Sequence, residues 1–447
     1  MKKRVAAALM AGLMAVSVLG GCKTRQTGSG DETGQVQNNA EKTGEKETIR
    51  ILTTNPLVSE ESIKKFMSDN PNIEVKYEYV SPTDYSAKFS ALAAADNIPD
   101  VFWTQSSYYT DQVKQGLLMD LTEELEGKSY EADAVWKDTF VPSLLENAQN
   151  MIKKSLKEKN LTSFNYGVPF TMTTVAAVYD KNVYAKLGLK EPQTWEEFMN
   201  NCQALKENGY VPISLVNDYI DWYPRMFWDQ YCREELDRDP DAFADGSMTF
   251  SSESVVKGLE SYKELYEKGY FPENGLTANV ETMQQMFIQG KLGQFLLPPS
   301  RLEYIVTNAP DTMDIASFVV PGIDGLPSRA IGGSSNIFAV SATTKHKEAS
   351  VKLLKYLTSK TNFESNDSLK YTISGLSNVK TSDSLAELLK GFNTAANNGF
   401  TPDIYVPVNI SSEMNTTVKS DLLPNYLSGS YSTKDVCDKL QELYNNR

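Results

Sequence analysis

The stretch from Thr48 to Trp103 restricts the fold more than any other, because its apolar period switches repeatedly between that of a strand and that of a helix. Thr48-Ile-Arg-Ile-Leu52 alternates as a strand does and ends in the turn-rich Thr53-Thr54-Asn55-Pro56. Ser59 to Ser68 then puts Ile63, Phe66 and Met67 on one helical face behind Ser59 as N-cap, and Asn70-Pro71-Asn72 stops it. Ile73 to Val80 has a clear period of two, Pro82 to Asn97 reads as a second helix, and Val101-Phe102-Trp103 is a short apolar strand. Parallel strands need a long crossover, usually helical, so strand–helix–strand–helix–strand implies a parallel sheet covered by helices. The pattern resumes after Tyr166. Gly167 to Phe170 and Val175 to Tyr179 are strands flanking the polar Thr171 to Thr174. Thr194 to Glu207 is a helix with Thr194 and Glu197 as a capping box. Ile213 to Val216, Gln294 to Leu297, Asp314 to Val320 and Ile337 to Val340 are strands, with helices over Ser254 to Lys268 and Glu281 to Gln289 and a mainly helical tail. No repeat of fixed period is present. The expected fold class is α/β.

Ahead of this body, Met1-Lys2-Lys3-Arg4 is a positive n-region and Ala6 to Gly20 is apolar or small apart from Ser17, the pattern of a secretory signal over residues 1–21. The run is short for a bilayer span, which takes about 20 apolar residues. Leu19-Gly20-Gly21-Cys22 resembles a bacterial lipobox, whose cysteine is acylated. The two chains of a diacylglyceryl group anchor stably where one is marginal. The expectation is therefore a protein outside the cytoplasm, held at a membrane through lipidated Cys22. Residues 22–47 contain no aromatic residue and one branched aliphatic, Val36, and are expected to be a disordered linker.

Charge and missing motifs narrow the function. The chain of 447 residues has a formal net charge of −14, and about −17 without the signal, since Lys2, Lys3 and Arg4 leave with it. That excess acid argues against nucleic acid as a partner. The one histidine, His346, lies in a charged Thr-Lys-His-Lys stretch, an unsuitable setting for a Ser-His-Asp or Cys-His system. Cys202, Cys232 and Cys437 are too scattered for a zinc site, and their odd number forbids a full disulfide framework, although a Cys202–Cys232 bridge stays open. Asp237-x-Asp239-x-Asp241 starts like a calcium loop but has Ala242 at the glycine position and Met248 at the bidentate position. Gly332-Gly333-Ser334-Ser335 is followed by no Gly-Lys-Ser/Thr, so it is no phosphate loop. Neither a metal nor a cofactor is expected.

What remains is a set of strand-end segments rich in aromatic and small polar residues: Thr53 to Asn55, Trp103 to Tyr109, Thr171 to Thr174, Asn217 to Tyr223, Pro299 to Arg301 and Gly332 to Asn336. In open α/β sheets ligands bind outside the carboxyl ends of the strands. A pyranose suits such loops, since its C–H face stacks on an aromatic ring and its hydroxyls need paired donors and acceptors. Asn55, Asp218, Trp222 and Ser334 are candidate ligand contacts on this ground. Trp103 suits binding and packing equally; Trp136, Trp195 and Trp228 are assigned to packing. Asp218 and Asp221 beside Trp222 keep open a rival reading, a surface glycoside hydrolase with a carboxylate pair.

These residues also carry a family resemblance. Pro169-Phe170-Thr171, Ala176-Ala177-Val178-Tyr179-Asp180-Lys181-Asn182 and Lys186-Leu187-Gly188 resemble the signature of extracellular solute-binding proteins of family 1, the maltose-binding-like lipoproteins of ABC importers. Departures are Ala177 and Tyr184, where larger aliphatics are usual. Ile98 to Trp103, Gln115 to Leu121, Pro192 to Phe198, Met286 to Lys291 and Gly332 to Val340 also fit, so the resemblance covers the chain after Thr48. It implies two lobes, 48–170 with 332–368 and 171–331 with 369–447, each a mostly parallel sheet flanked by helices. A multi-segment hinge joins them, and they close on ligand, a hinge mode of such binding proteins. By position it adds Trp103, Ser106, Ser107, Thr173 and Arg301 to the ligand contacts. Ser106 and Ser107 replace charged residues of the maltose-binding relatives, and Thr173 replaces an acid, which implies a ligand other than maltose held the same way. The implied partners are a carbohydrate, taken as neutral for want of a basic cluster, and the permease subunits of an ABC transporter. The implied state is a monomer, and no catalysis is expected. A non-sugar solute is the third reading.

Overall fold

The structure is a computed structural model and describes residues 46–55, 58–239, 241–329, 331–398 and 412–446. The signal, Cys22 and all but the last residues of the linker lie outside them. The first two βαβ turns form as the periodicity requires. Strand β1 (Glu47–Thr53) pairs in parallel with β2 (Ile73–Tyr79) and with β3 (Val101–Thr104). Between them, helix Glu60–Asp69 starts where Ser59 Oγ accepts from the Ser62 backbone N–H at 3.1 Å, and helix Pro82–Ala94 starts on Ser81 in the same way. Ile49, Ile51, Ile63, Phe66 and Val75 are buried between strands and helix.

The chain then leaves this sheet and comes back. β4 (Val168–Thr174) belongs to the first sheet, whereas β5 (Ala176–Asp180) belongs to a second, with only Val175 between them. The second sheet adds β6 (Val211–Ile213), β7 (Leu292–Leu297) and β8 (Ile315–Phe318) in the order β6-β7-β5-β8. β9 (Gly332–Val340) returns to the first sheet and inserts between β3 and β4, and β10 (Ile373–Ser374) closes its edge, giving the order β10-β4-β9-β3-β1-β2.

Both sheets are mixed rather than mostly parallel. β9 runs antiparallel to β3 and β4, β10 to β4, and β5 to β7 and β8; β6 with β7 is the parallel pair of the second sheet. The reason is the crossing itself, because strands arriving from another sheet are not bound by the βαβ rule. Other differences are local. The polar Thr171 to Thr174 continues β4, and Gly332 to Asn336 opens β9, because each satisfies the other's backbone: Thr173 pairs with Gly333 and Thr174 with Gly332. The expected strand at Ile213 to Val216 lies earlier, at Val211–Ile213.

Among the described residues the apolar interior has three parts. One lies around the first sheet and includes Phe102, Trp136 and Phe140. A second gathers the helices Trp222–Arg238, Glu253–Glu267 and Thr433–Asn445 around Trp228, Tyr262 and Phe250. The third is continuous between the sheets, joining Leu144, Met172 and Ile373 to Val178, Phe295 and Leu388. Trp136 and Trp228 are fully buried, and Trp195 packs on Phe198 and Phe227, as expected for packing residues. Cys202, Cys232 and Cys437 are buried free thiols, so the possible Cys202–Cys232 bridge is not formed. Burial pushes the Cys202 thiol up to about 12. His346 precedes helix Lys347–Leu357 and its Nδ1 lies 3.0 Å from Glu47 Oε1, a surface contact that ties the start of β1. Among the described residues no helix is long and apolar enough to cross a membrane.

Candidate functional site

Strand direction brings the candidate segments to two neighbouring edges. In the first sheet, β1, β3 and β4 end at the side where β9 begins, since Thr104 pairs with Ile337 and Thr174 with Gly332. Thr53 to Asn55, Ser106, Thr173 and Ser334 all lie at that edge. In the second sheet, β6 and β7 end where β5 begins, Ala176 pairing with Leu297. Asn217 to Trp222 and Pro299 to Arg301 follow those ends. Because Val175 alone separates β4 from β5, the two edges meet at the crossing.

The first edge is organised by Trp103. Its ring stands edge-on to Tyr85, with centroids 5.0 Å apart and planes at 86°, and 6.1 Å from Tyr108. The Tyr85 hydroxyl donates to the Trp103 carbonyl, and burial pushes that phenol well above its usual range. Trp103 Nε1 donates to Asn336 Oδ1 at 2.8 Å, and Asn336 Nδ2 donates to Thr171 Oγ1 at 2.8 Å, so one polar chain crosses β3, β9 and β4. Trp103 is only 6% exposed, so in this conformation it is mostly packed. Asn55 is buried after β1, its backbone N–H donating to Thr53 Oγ1 at 2.9 Å. The buried hydroxyls of Thr54, Thr104 and Thr174 make no hydrogen bond among the described residues, leaving polar capacity uncommitted along this edge.

Ser106 and Ser107 open helix Ser106–Lys114 rather than a loop. Thr173 is half-buried on β4. Ser334 is committed elsewhere. Its hydroxyl donates to the Leu144 carbonyl at 2.6 Å, and its backbone N–H to Asn147 Oδ1 at 3.0 Å. Gly333 beside it has φ of +133°, and a Cβ there would lie 2.5 Å from Asn147 Oδ1, so only glycine lets helix Pro142–Lys159 come this close.

The second edge is a compact constellation. Trp222 is the first residue of helix Trp222–Arg238, not a loop residue, and is half-buried. Its ring stacks on Tyr219, with centroids 4.4 Å apart and planes at 29°. Arg301 Nε donates to the Tyr219 hydroxyl at 3.1 Å. Tyr223 points into the core, its hydroxyl donating to the Ser214 carbonyl. Asp218 lies in the short 3-10 turn Asn217–Tyr219. Asp221 is buried between Arg225 and Lys419, with N···O distances of 3.5 and 3.4 Å.

The structure thus joins Trp222 to Arg301 through Tyr219, and Trp103 to β9 and β4 through Asn336. Neither Tyr219 nor Asn336 was among the named candidates. Tyr219 could have been found from its i,i+3 spacing to Trp222; Asn336 had only its place in a polar run. Among the described residues no cluster of His, Cys, Asp or Glu could hold a metal ion.

The model of a family described as bacterial extracellular solute-binding protein matches residues 53–362. The diacetylchitobiose binding protein DasA of Streptomyces coelicolor is 24% identical over 369 residues, 79% of this chain and 78% of that one. The multiple sugar-binding protein of Streptococcus mutans is 24% identical over 311 residues, 66% of each. The structure of the sugar-binding protein MalE from Xanthomonas citri superposes with a TM-score of 0.70 at 18% identity, covering 90% of this chain and 98% of that one. At that identity the likeness speaks for the fold alone, and that fold is two-lobed α/β. With the family model spanning well over half of it, the chain belongs to the bacterial extracellular solute-binding proteins.

Proposed function

We propose that this protein is a lipid-anchored receptor that captures a neutral mono- or oligosaccharide between its lobes and hands it to the permease of an ABC transporter, as a monomer. The observation that carries the reading is the stacked Tyr219–Trp222 pair with Arg301 on the Tyr219 hydroxyl: a half-exposed aromatic surface with a fixed donor beside it, at the ends of β6 and β7. Sugars are recognised by such pairing of ring faces with polar groups. The names of the relatives, one binding multiple sugars and one diacetylchitobiose, support it. Lobe borders are drawn at Val175, between β8 and β9, and after β10; β4 stays with the first sheet through Thr174, four residues past the expected border. A hydrolase using Asp218 and Asp221 gains no support, because Asp221 is buried and already flanked by two cations.

The test is a thermal-shift screen against neutral mono- and oligosaccharides, with chromatography of the sugar afterwards. A ligand at 100 times its Kd should add about 2.7 kcal/mol of stability. The sugar should be recovered intact. Stabilisation only by a non-sugar solute, or cleavage of the sugar, would sink the proposal.

The anchor has its own test. Cys22→Ser is expected to release the protein into the soluble fraction or to leave an uncleaved precursor, checked by fractionation and mass spectrometry. Processing and membrane retention unchanged from the parent would show that Cys22 carries no lipid.

A further inference from the structure

The carboxylate next to the aromatic pair is held from the far end of the chain. Asp221 is 2% exposed. Arg225, one helical turn on, supplies one cation, and Lys419 supplies the other. Lys419 stands in the helical stretch 412–427, which widens into a π-helical turn over Val418–Leu422. Such turns occur mostly as single insertions and gather at functional sites. Here Val418 and Leu422 stay buried in the apolar interior while the Lys419 ammonium reaches Asp221. Removing one partner from a buried ion cluster leaves the rest uncompensated, so Asp221 is tied in place to these two cations. The next residue is Trp222, where helix Trp222–Arg238 begins and where the indole lies on Tyr219.

We infer that Lys419 is a positioning residue for the Tyr219–Trp222 pair: acting through Asp221, it fixes the direction in which the indole is presented, so the helical stretch 412–427 sets how well a stacking ligand is held. The consequence for affinity rests on the carbohydrate reading above; the positioning itself does not. Its effect passes through a carboxylate and one peptide unit.

The variants are Lys419→Met, Lys419→Arg and the charge-balanced pair Asp221→Asn with Lys419→Met. Trp222 is read by acrylamide quenching of ligand-free protein, as the difference between each variant and its Trp222→Phe counterpart. Affinity is read by calorimetry with the saccharide found in the screen. Lys419→Met is expected to raise the Trp222 quenching constant about twofold and to weaken binding about tenfold, the size expected for a displaced anchor, while Lys419→Arg stays within about threefold of the parent. The charge-balanced pair should recover the melting temperature without recovering quenching or affinity; it also serves if Lys419→Met alone does not fold. A lower melting temperature with unchanged Trp222 quenching would make the ion cluster a plain brace and overturn the inference. If the parent binds no saccharide, the carbohydrate reading fails, and the ligand-free quenching still decides whether Lys419 positions Trp222.

Discussion

Replacing Trp228 with alanine is expected to lower the free energy of unfolding by about 3–5 kcal/mol, the usual cost of emptying a large aromatic site in a core. Trp228 is fully buried in the helical interior with Tyr262 and Leu259. The void has little chance to collapse. A Cβ on Gly258 would already lie 2.5 Å from the Trp228 backbone, so helices Trp222–Arg238 and Glu253–Glu267 are at closest approach and cannot move in. Residual cavity volume sets where in the range a substitution falls, which places Trp228→Ala towards the upper end. Urea unfolding followed by circular dichroism measures it. A loss under about 1 kcal/mol, typical of a surface change, would mean that the interior repacks and that this account of its rigidity is wrong.

Trp222, six residues earlier on the same helix, should behave in the opposite way. Trp222→Ala is expected to weaken saccharide binding by about 1–3 kcal/mol, as loss of a central aromatic anchor does. Its cost to stability should be about 0.5–1.5 kcal/mol, the worth of one aromatic pair, because the ring is half-buried on Tyr219 rather than enclosed. Tyr219→Phe adds a finer comparison, since it keeps the stack and removes only the hydroxyl that accepts from Arg301. Calorimetric titration beside thermal melts separates affinity from stability. Trp222→Ala that unfolds as easily as Trp228→Ala while binding at full strength would identify a packing residue.

The contrast shows where the sequence could be read and where it could not. Local signals were strong. Ser59 and Thr194 cap their helices, the latter with Glu197 completing the box, and the periods of β1 and β2 place Ile49, Ile51 and Val75 inside. Periodicity reports only the near neighbours of a residue, however. The antiparallel insertion of β9 between β3 and β4 depends on pairing across more than 150 residues, and nothing in Gly332 to Asn336 advertised a strand. Polar composition there read as loop, although the same polar residues are the hydrogen-bonding partners of β4 and Trp103. Residue type pointed to positions near the sheet edges: Trp103 stands near the end of β3, Arg301 follows β7, and Trp222 opens a helix after β6. The wiring of the site was not legible, because Tyr219 to Arg301 and Asp221 to Lys419 are contacts between segments distant in sequence. Ser334 illustrates the cost of reading by type, since a small polar residue at the right edge can spend its hydroxyl on a helix carbonyl instead.

The place of β9 also sets a timetable for folding. Until residue 340 is available, β3 and β4 have no common neighbour and the first sheet carries two open edges in its middle. Such edges are sticky, and pairing across long sequence separation is slow because loop closure must come first. The N-terminal βαβ units can form locally, but the sheet that holds them cannot close before β9 is made. The strand that completes the architecture therefore also decides when folding can finish, since the first sheet stays open until residues 332–340 arrive.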